Sequence, residues 1–322
     1  MKTLPLSVIS ILSSALFIVP SSFGQTLYSD NFDVDSTANW TINGGPSDEA
    51  ANFYFDYSTV GIPSAPNSGG STRGVKLQAN QSSGIFGGVS VSPVGQSFSG
   101  NYQLRLDMWL SYNGPAPVGG SGSTQVGGAG FGTAGTTAQW PGGTQDSVWF
   151  AATGDGNSSS DYRAYSSVAP TSYADTSGVY AAGNLAGSRN GSHAYYAGFG
   201  NVAAPAAQLA LFSQQTGNTG VGSLGWAWHD VSILKTGNTI TWSIDGLLIA
   251  TVDASTATLG GGNILLTYSD TNTGSSTDPE DANLLFGLYD NVRVSLVPEP
   301  SIGAMMGVGL TVLAGFARNR RV

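Results

Sequence analysis

Apolar and polar residues alternate in many short stretches of the chain, which is the two-residue period of a half-buried strand. Along Tyr102-Gln103-Leu104-Arg105-Leu106-Asp107-Met108-Trp109-Leu110 the alternation puts Leu104, Leu106, Met108 and Leu110 on one face. Val148-Trp149-Phe150-Ala151-Ala152 and Leu209-Ala210-Leu211-Phe212 are further strand candidates. The clearest block runs from His229 to Lys235, turns at Thr236-Gly237-Asn238, returns over Thr239–Ile244, turns again at Asp245-Gly246 and continues over Leu247–Val252. Asp-Gly between two alternating runs is a tight-hairpin signal. A three-stranded meander leaves two faces, one of which needs a second sheet to cover it.

Composition supports this reading. Gly (46 residues), Ser, Thr, Asn and Ala fill much of the 322-residue chain, and apart from Ala these residues favour turns, caps and strands over helix interiors. Between Asn113 and Asn201 the alternation weakens, and Pro115–Gly135 and Asp155–Asp161 read as long Gly/Ser-rich loops. No stretch has the character of an interdomain linker, so residues 25–296 are expected to form one domain.

Both ends carry targeting features. Lys2, the apolar run Leu4–Val19 and the small residues around Ser22-Phe23-Gly24 form a secretory signal peptide over residues 1–24, with cleavage before Gln25. At the other end, Val297-Pro298-Glu299-Pro300-Ser301 precedes an uncharged segment, 302–317, and the closing Arg318-Asn319-Arg320-Arg321. Such a segment is barely long enough to span a bilayer, and the arginines would hold its end in the cytoplasm. These three parts over residues 297–322 resemble the PEP-CTERM sorting signal, with Val297, Pro298, Glu299 and Pro300 as its motif. The resemblance implies an exosortase-type membrane protease as partner, cleavage near the triplet, and a final place at the cell surface or outside the cell.

The body of the chain has its own resemblance. Trp228-His229-Asp230-Val231, the strand after it and the Asp245-Gly246 hairpin resemble the concanavalin A-like lectin/glucanase sandwich, in particular its laminin G-like branch. Leu285-Phe286-Gly287-Leu288-Tyr289-Asp290-Asn291-Val292-Arg293-Val294 is similar to the last strand of that sandwich, and Tyr28-Ser29-Asp30-Asn31-Phe32-Asp33 to its first. The resemblance implies an all-β, two-sheet antiparallel jelly roll in which first and last strands pair.

Charge and residue types restrict the chemistry. Cysteine is absent, which removes thiolate metal sites and Cys nucleophiles. Lys2, Arg318, Arg320 and Arg321 belong to the ends, leaving 7 basic residues against 20 acidic ones in Gln25–Pro300, a net charge of −13. Nucleic acid and anionic membrane surfaces are therefore poor partners, and divalent cations suitable ones. Glycoside hydrolysis needs two carboxylates flanking the scissile bond. The Glu residues, Glu49, Glu280 and Glu299, lie in loop-like sequence or in the sorting motif, and Asp107 stands alone in its strand, so no catalytic residues are assigned. His193 and His229 lack a nucleophile-elbow motif, and a structural role is expected for His229. Asp270, Asn272, Asp278, Glu280 and Asp281 gather oxygen ligands of the kind Ca²⁺ takes. Trp226 and Trp228 share a face and are the candidate sugar-stacking aromatics.

The expectation is an exported surface or matrix protein with a non-catalytic, lectin-like sandwich, its ligand an extracellular polysaccharide and its cofactor calcium. A structural or adhesive envelope protein is the second reading, and a glycoside hydrolase the third.

Overall fold

The alternation becomes two antiparallel sheets packed face to face. The computed structural model describes residues 24–45, 49–79, 87–112, 125–156, 160–168, 172–174, 183–189, 191–270 and 281–298. Residues 1–23 of the predicted leader, 1–24, and the predicted membrane helix, 302–317, lie outside them. Among the described residues no helix is long and apolar enough to cross a membrane.

The strands, in chain order, are β1 (Thr26–Asp30), β2 (Trp40–Gly44), β3 (Ala50–Asp56), β4 (Arg73–Gln78), β5 (Gly88–Pro93), β6 (Tyr102–Ser111), β7 (Gln125–Thr133), β8 (Val148–Thr153), β9 (Tyr162–Ser166), β10 (Ser172–Tyr173), β11 (Gly183–Arg189), β12 (Trp228–Thr236), β13 (Thr239–Ile244), β14 (Leu247–Asp253), β15 (Asn263–Asp270) and β16 (Phe286–Leu296). One sheet has the order β10-β14-β13-β12-β6-β16-β4-β3, with β1 also on β16, and the other has the order β11-β9-β8-β7-β15-β5-β2. The first and last strands pair, as expected, from Thr26 opposite Ser295 to Asp30 opposite Val292. The β13–β14 hairpin turns through Asp245 and Gly246, both at positive φ (49° and 79°), as a two-residue loop that continues the right-handed strand twist requires.

The faces follow the predicted parity. Leu104, Leu106, Met108 and Leu110 of β6 enter the inter-sheet core with Val231, Ile233, Trp242, Phe150 and Leu266. Trp242 stacks on Phe150 across the two sheets at 5.2 Å. A second apolar cluster lies on the outer face of the first sheet, where Tyr57, Ile62, Ala204 and Trp226 cover Trp109, Phe286 and Leu288. A third, Val126, Trp149, Ala151, Tyr165 and Leu265, lies on the outer face of the second sheet.

Two local expectations are corrected. The stretch read as a loop over Pro115–Gly135 contains β7, a fully buried strand at the centre of the second sheet. Its glycines fit because the space for a Cβ is taken. On Gly127 it would collide with Leu110, on Gly128 with the Phe150 carbonyl, and on Gly130 with the Trp149 side chain. Leu209–Phe212, read as a strand, falls in the short helix α1 (Ala206–Leu211) and its cap, opened by Pro205 and built from good helix formers. A second short helix, α2 (Asp281–Leu284), precedes β16.

Candidate functional site

A break in register on β16 creates the site. Asp290 stands opposite Asp107 and Arg293 opposite Arg105, so Asn291 and Val292 together answer Leu106. One extra residue on one strand is a β-bulge. Here β16 exchanges its partner β4, which pairs Gly287–Tyr289, for β1, which pairs Val292–Ser295. Asn291 takes φ 53°, a left-handed conformation that Asn tolerates better than most side chains.

On the outer face the register aligns three carboxylates across adjacent strands, with Asp230 on β12, Asp107 on β6 and Asp290 on β16. Asp107 and Asp290 are fully buried. Asp107 accepts from the Asn67 amide N–H (3.1 Å), Asn67 Nδ2 (2.7 Å) and Asn291 Nδ2 (2.8 Å). Asp290 accepts from the Asn291 N–H (2.6 Å) and the Tyr57 hydroxyl (3.1 Å). Burial pushes the Asp290 carboxyl up to about 7. Hydrogen bonds to the Asn291 N–H and Tyr57 act downward, while the charges of Asp107 and Asp33 push the same way as burial. Asp230 lies nearer solvent and is held in a bidentate ion pair by Arg105 Nε (3.1 Å) and Nη2.

Beyond this row the outer face opens. Tyr57, Val60, Ile62, Val202, Ala204 and Trp226 cover the half of the sheet carrying Trp109 and Leu288. The other half, floored by Gln103, Arg105, Asp230, Arg293 and Ser295, is a trough of about 1120 Å³ walled by the segment from Tyr28 to Asn39 and by Asn67. Asp30 fixes that wall by accepting from the Phe32 N–H (2.9 Å), Ser36 Oγ (3.0 Å) and Trp40 Nε1 (2.9 Å). The lining is rich in amide, carboxylate and guanidinium groups, with Tyr28 as a half-buried aromatic.

The residues singled out in the sequence lie elsewhere. Trp226 is buried, stacked on Tyr112 at 4.7 Å, and Trp228 is half-buried, packing on Tyr57 and Trp109 while its Nε1 donates to the Pro63 carbonyl (2.8 Å). Both belong to the second apolar cluster. Of the calcium loop, Asn272, Asp278 and Glu280 lie outside the described residues. Asp270 ends β15 and Asp281 opens α2. Among the described residues no three His, Cys, Asp or Glu side chains gather to hold a metal ion. Val297 continues past β16, its N–H donating to the Asn101 carbonyl (3.0 Å), and Pro298 follows. Glu299 and Pro300 lie outside the described residues. His229 Nδ1 meets Asp245 Oδ2 at 2.7 Å, whereas its buried Nε2 has no hydrogen-bond partner. A nucleophile–His pair is therefore absent there.

Sequence reasoning missed the trough because its floor comes from strands far apart in the chain, β6 lying more than a hundred residues before β12 and β16. The one available signal was parity. Gln103, Arg105 and Asp107 alternate with the core leucines of β6, and Asp230 and Ser232 alternate with Val231 and Ile233.

No family model matches the chain, and no curated protein matches it. Solved structures align with the chain over most of its length. An endo-1,3-β-glucanase from Streptomyces sioyaensis is 14% identical, with 87% of this chain and 99% of that one covered, at a TM-score of 0.45. A Bacillus licheniformis β-glucanase is 12% identical over 85% and 100%, at 0.38. A Bacillus subtilis protein of unknown function with a galectin-like fold is 11% identical over 84% and 96%, at 0.39. The chain's own strand order makes it an all-β sandwich of two antiparallel sheets whose first and last strands pair.

The expectation that the protein is not an enzyme is corrected here. Its structural neighbours are mostly glycoside hydrolases, with a transglycosylase and a laminarinase among them. Asp107 is alone in its strand, as the sequence indicates, and has a carboxylate beside it on each neighbouring strand.

Proposed function

We propose that this is an exported glycan-binding or glycan-active protein whose saccharide site is the trough over β1, β16, β6 and β12. The observation that carries the reading is the lining, in which planar amide, carboxylate and guanidinium groups line an open trough of about 1120 Å³. Saccharides present closely spaced hydroxyls, each both donor and acceptor. Fork-shaped side chains meet such pairs in two directions at once. The volume is at the upper end of the range for small-molecule sites, enough for a few sugar units. Asp290, whose carboxyl burial raises to about 7, stands in one cross-strand row with Asp107 and Asp230 next to the trough.

The two chain ends support export and processing. The leader delivers the domain across the membrane, and the Val297–Pro300 motif presents the tail to an exosortase-type protease. Mass spectrometry of the exported protein checks this, the expected product ending near Pro298–Pro300.

A glycan array probed with the full-length protein, followed by chromatography of each bound glycan after incubation, tests the function. Binding to a defined glycan supports the reading, and shortened products add catalysis to it. Absence of binding to every glycan overturns it.

A further inference from the structure

Arg293 is the feature of the trough that a neutral sugar leaves unexplained. It is exposed on β16 and directly opposite Arg105 on β6, and like charges facing each other across paired strands destabilise them. Arg105 is compensated by Asp230. Asp30 lines the same trough, but its oxygens already accept from Phe32, Ser36 and Trp40.

The rarity of cations in this chain sharpens the observation. Arg73 pairs with Asp56, Lys76 sits between the rings of Phe55 and Phe286, Arg163 donates to the Ser160 carbonyl, and Lys235 donates to the Gly100 carbonyl. Among the described residues the Arg293 side chain has no ion pair, hydrogen bond or ring contact. An acidic protein has thus placed an uncompensated guanidinium beside a second one, in its open polar trough.

We propose that the trough takes an anionic saccharide, a sugar bearing a carboxylate or sulfate, whose charge seats on Arg293 beside Arg105. This rests on the glycan reading above. A guanidinium offers a two-pronged donor set matched to either anion, and the neighbouring amides and Ser295 are left to meet the sugar hydroxyls.

The test is calorimetric titration of the full-length protein with polygalacturonate oligomers, dextran sulfate and unmodified dextran, on wild type, Arg293→Gln, Arg293→Lys and the control Arg73→Gln. The two anionic probes separate carboxylate from sulfate. The expected result is binding of at least one anionic probe over dextran, a loss of roughly tenfold in affinity in Arg293→Gln, partial retention in Arg293→Lys, and no change in Arg73→Gln. Added salt weakens the binding. Melting curves confirm that each variant is folded. Dextran bound as tightly as the anionic probes, an unchanged Arg293→Gln, or an equal loss in Arg73→Gln overturns the proposal while the glycan reading stands. No binding to any probe here or to any glycan on the array overturns both.

Discussion

Asp107 and Asp290 stand directly opposite one another on β6 and β16, both fully buried, and the bulge residue Asn291 donates to Asp107 through its side chain and to Asp290 through its backbone N–H. The two carboxylates thus fix the bulge from both sides. The bulge lets β16 serve β4 on one half and β1 on the other, and the trough lies where that exchange occurs.

Removing Asp107 should therefore loosen more than one contact. Asp107→Ala strands the donors of Asn67 and Asn291 beside a buried void. A loss of about 2–4 kcal/mol is expected in urea unfolding. Asn67→Ala, at an exposed position, should cost less.

Two carboxyls raised to about 7 make stability depend on pH. Asp290 is raised mainly by burial. Asp155 is raised by burial and then by the charge of Asp161. A carboxyl that holds its proton more tightly folded than unfolded favours the folded state at low pH. Stability then falls as pH rises through the interval from about 4 to about 7, and the penalty is constant above it. Melting temperature should decline across that window in wild type, and Asp155→Asn should flatten the decline. An unchanged profile in the variant would remove Asp155 from the account.

Gly130→Ala tests why β7 is rich in glycine. The added methyl meets the Trp149 side chain and the Val148 carbonyl, neither at the end of a flexible chain. A destabilisation of about 1–3 kcal/mol is expected by chemical denaturation.

The Arg105–Asp230 pair has side chains 53% and 33% exposed. Solvent screening leaves such pairs worth roughly 1 kcal/mol or less. A double-mutant cycle on Arg105→Gln and Asp230→Asn should confirm a small coupling in stability. The pair shapes the charge of the trough floor more than it holds the fold.

How far the fold could be read in advance follows from where side chains report their surroundings. β6 and β12–β14 were legible because one face of each is buried and Asp245-Gly246 marks the turn. The β1–β16 pairing came from the resemblance of two distant segments. β7 was illegible because its identity rests on neighbours, Leu110, Phe150 and Trp149, that exclude side chains, leaving a glycine run indistinguishable from a loop. The site was less legible still. Asp107 stands alone in its strand by sequence, and only the strand order sets Asp230 and Asp290 beside it. Trp226 and Trp228 drew notice as large aromatics, but a covering loop and helix claim them for packing.

The central claim is that a glycan occupies the trough. Calorimetric titration of the best array glycan into wild type and Ser295→Trp, whose indole would fill the trough floor, tests it most directly. Saturable binding in wild type and its loss in a folded Ser295→Trp is the predicted result. Equal affinity in both proteins would place the glycan elsewhere on the sandwich and contradict the account.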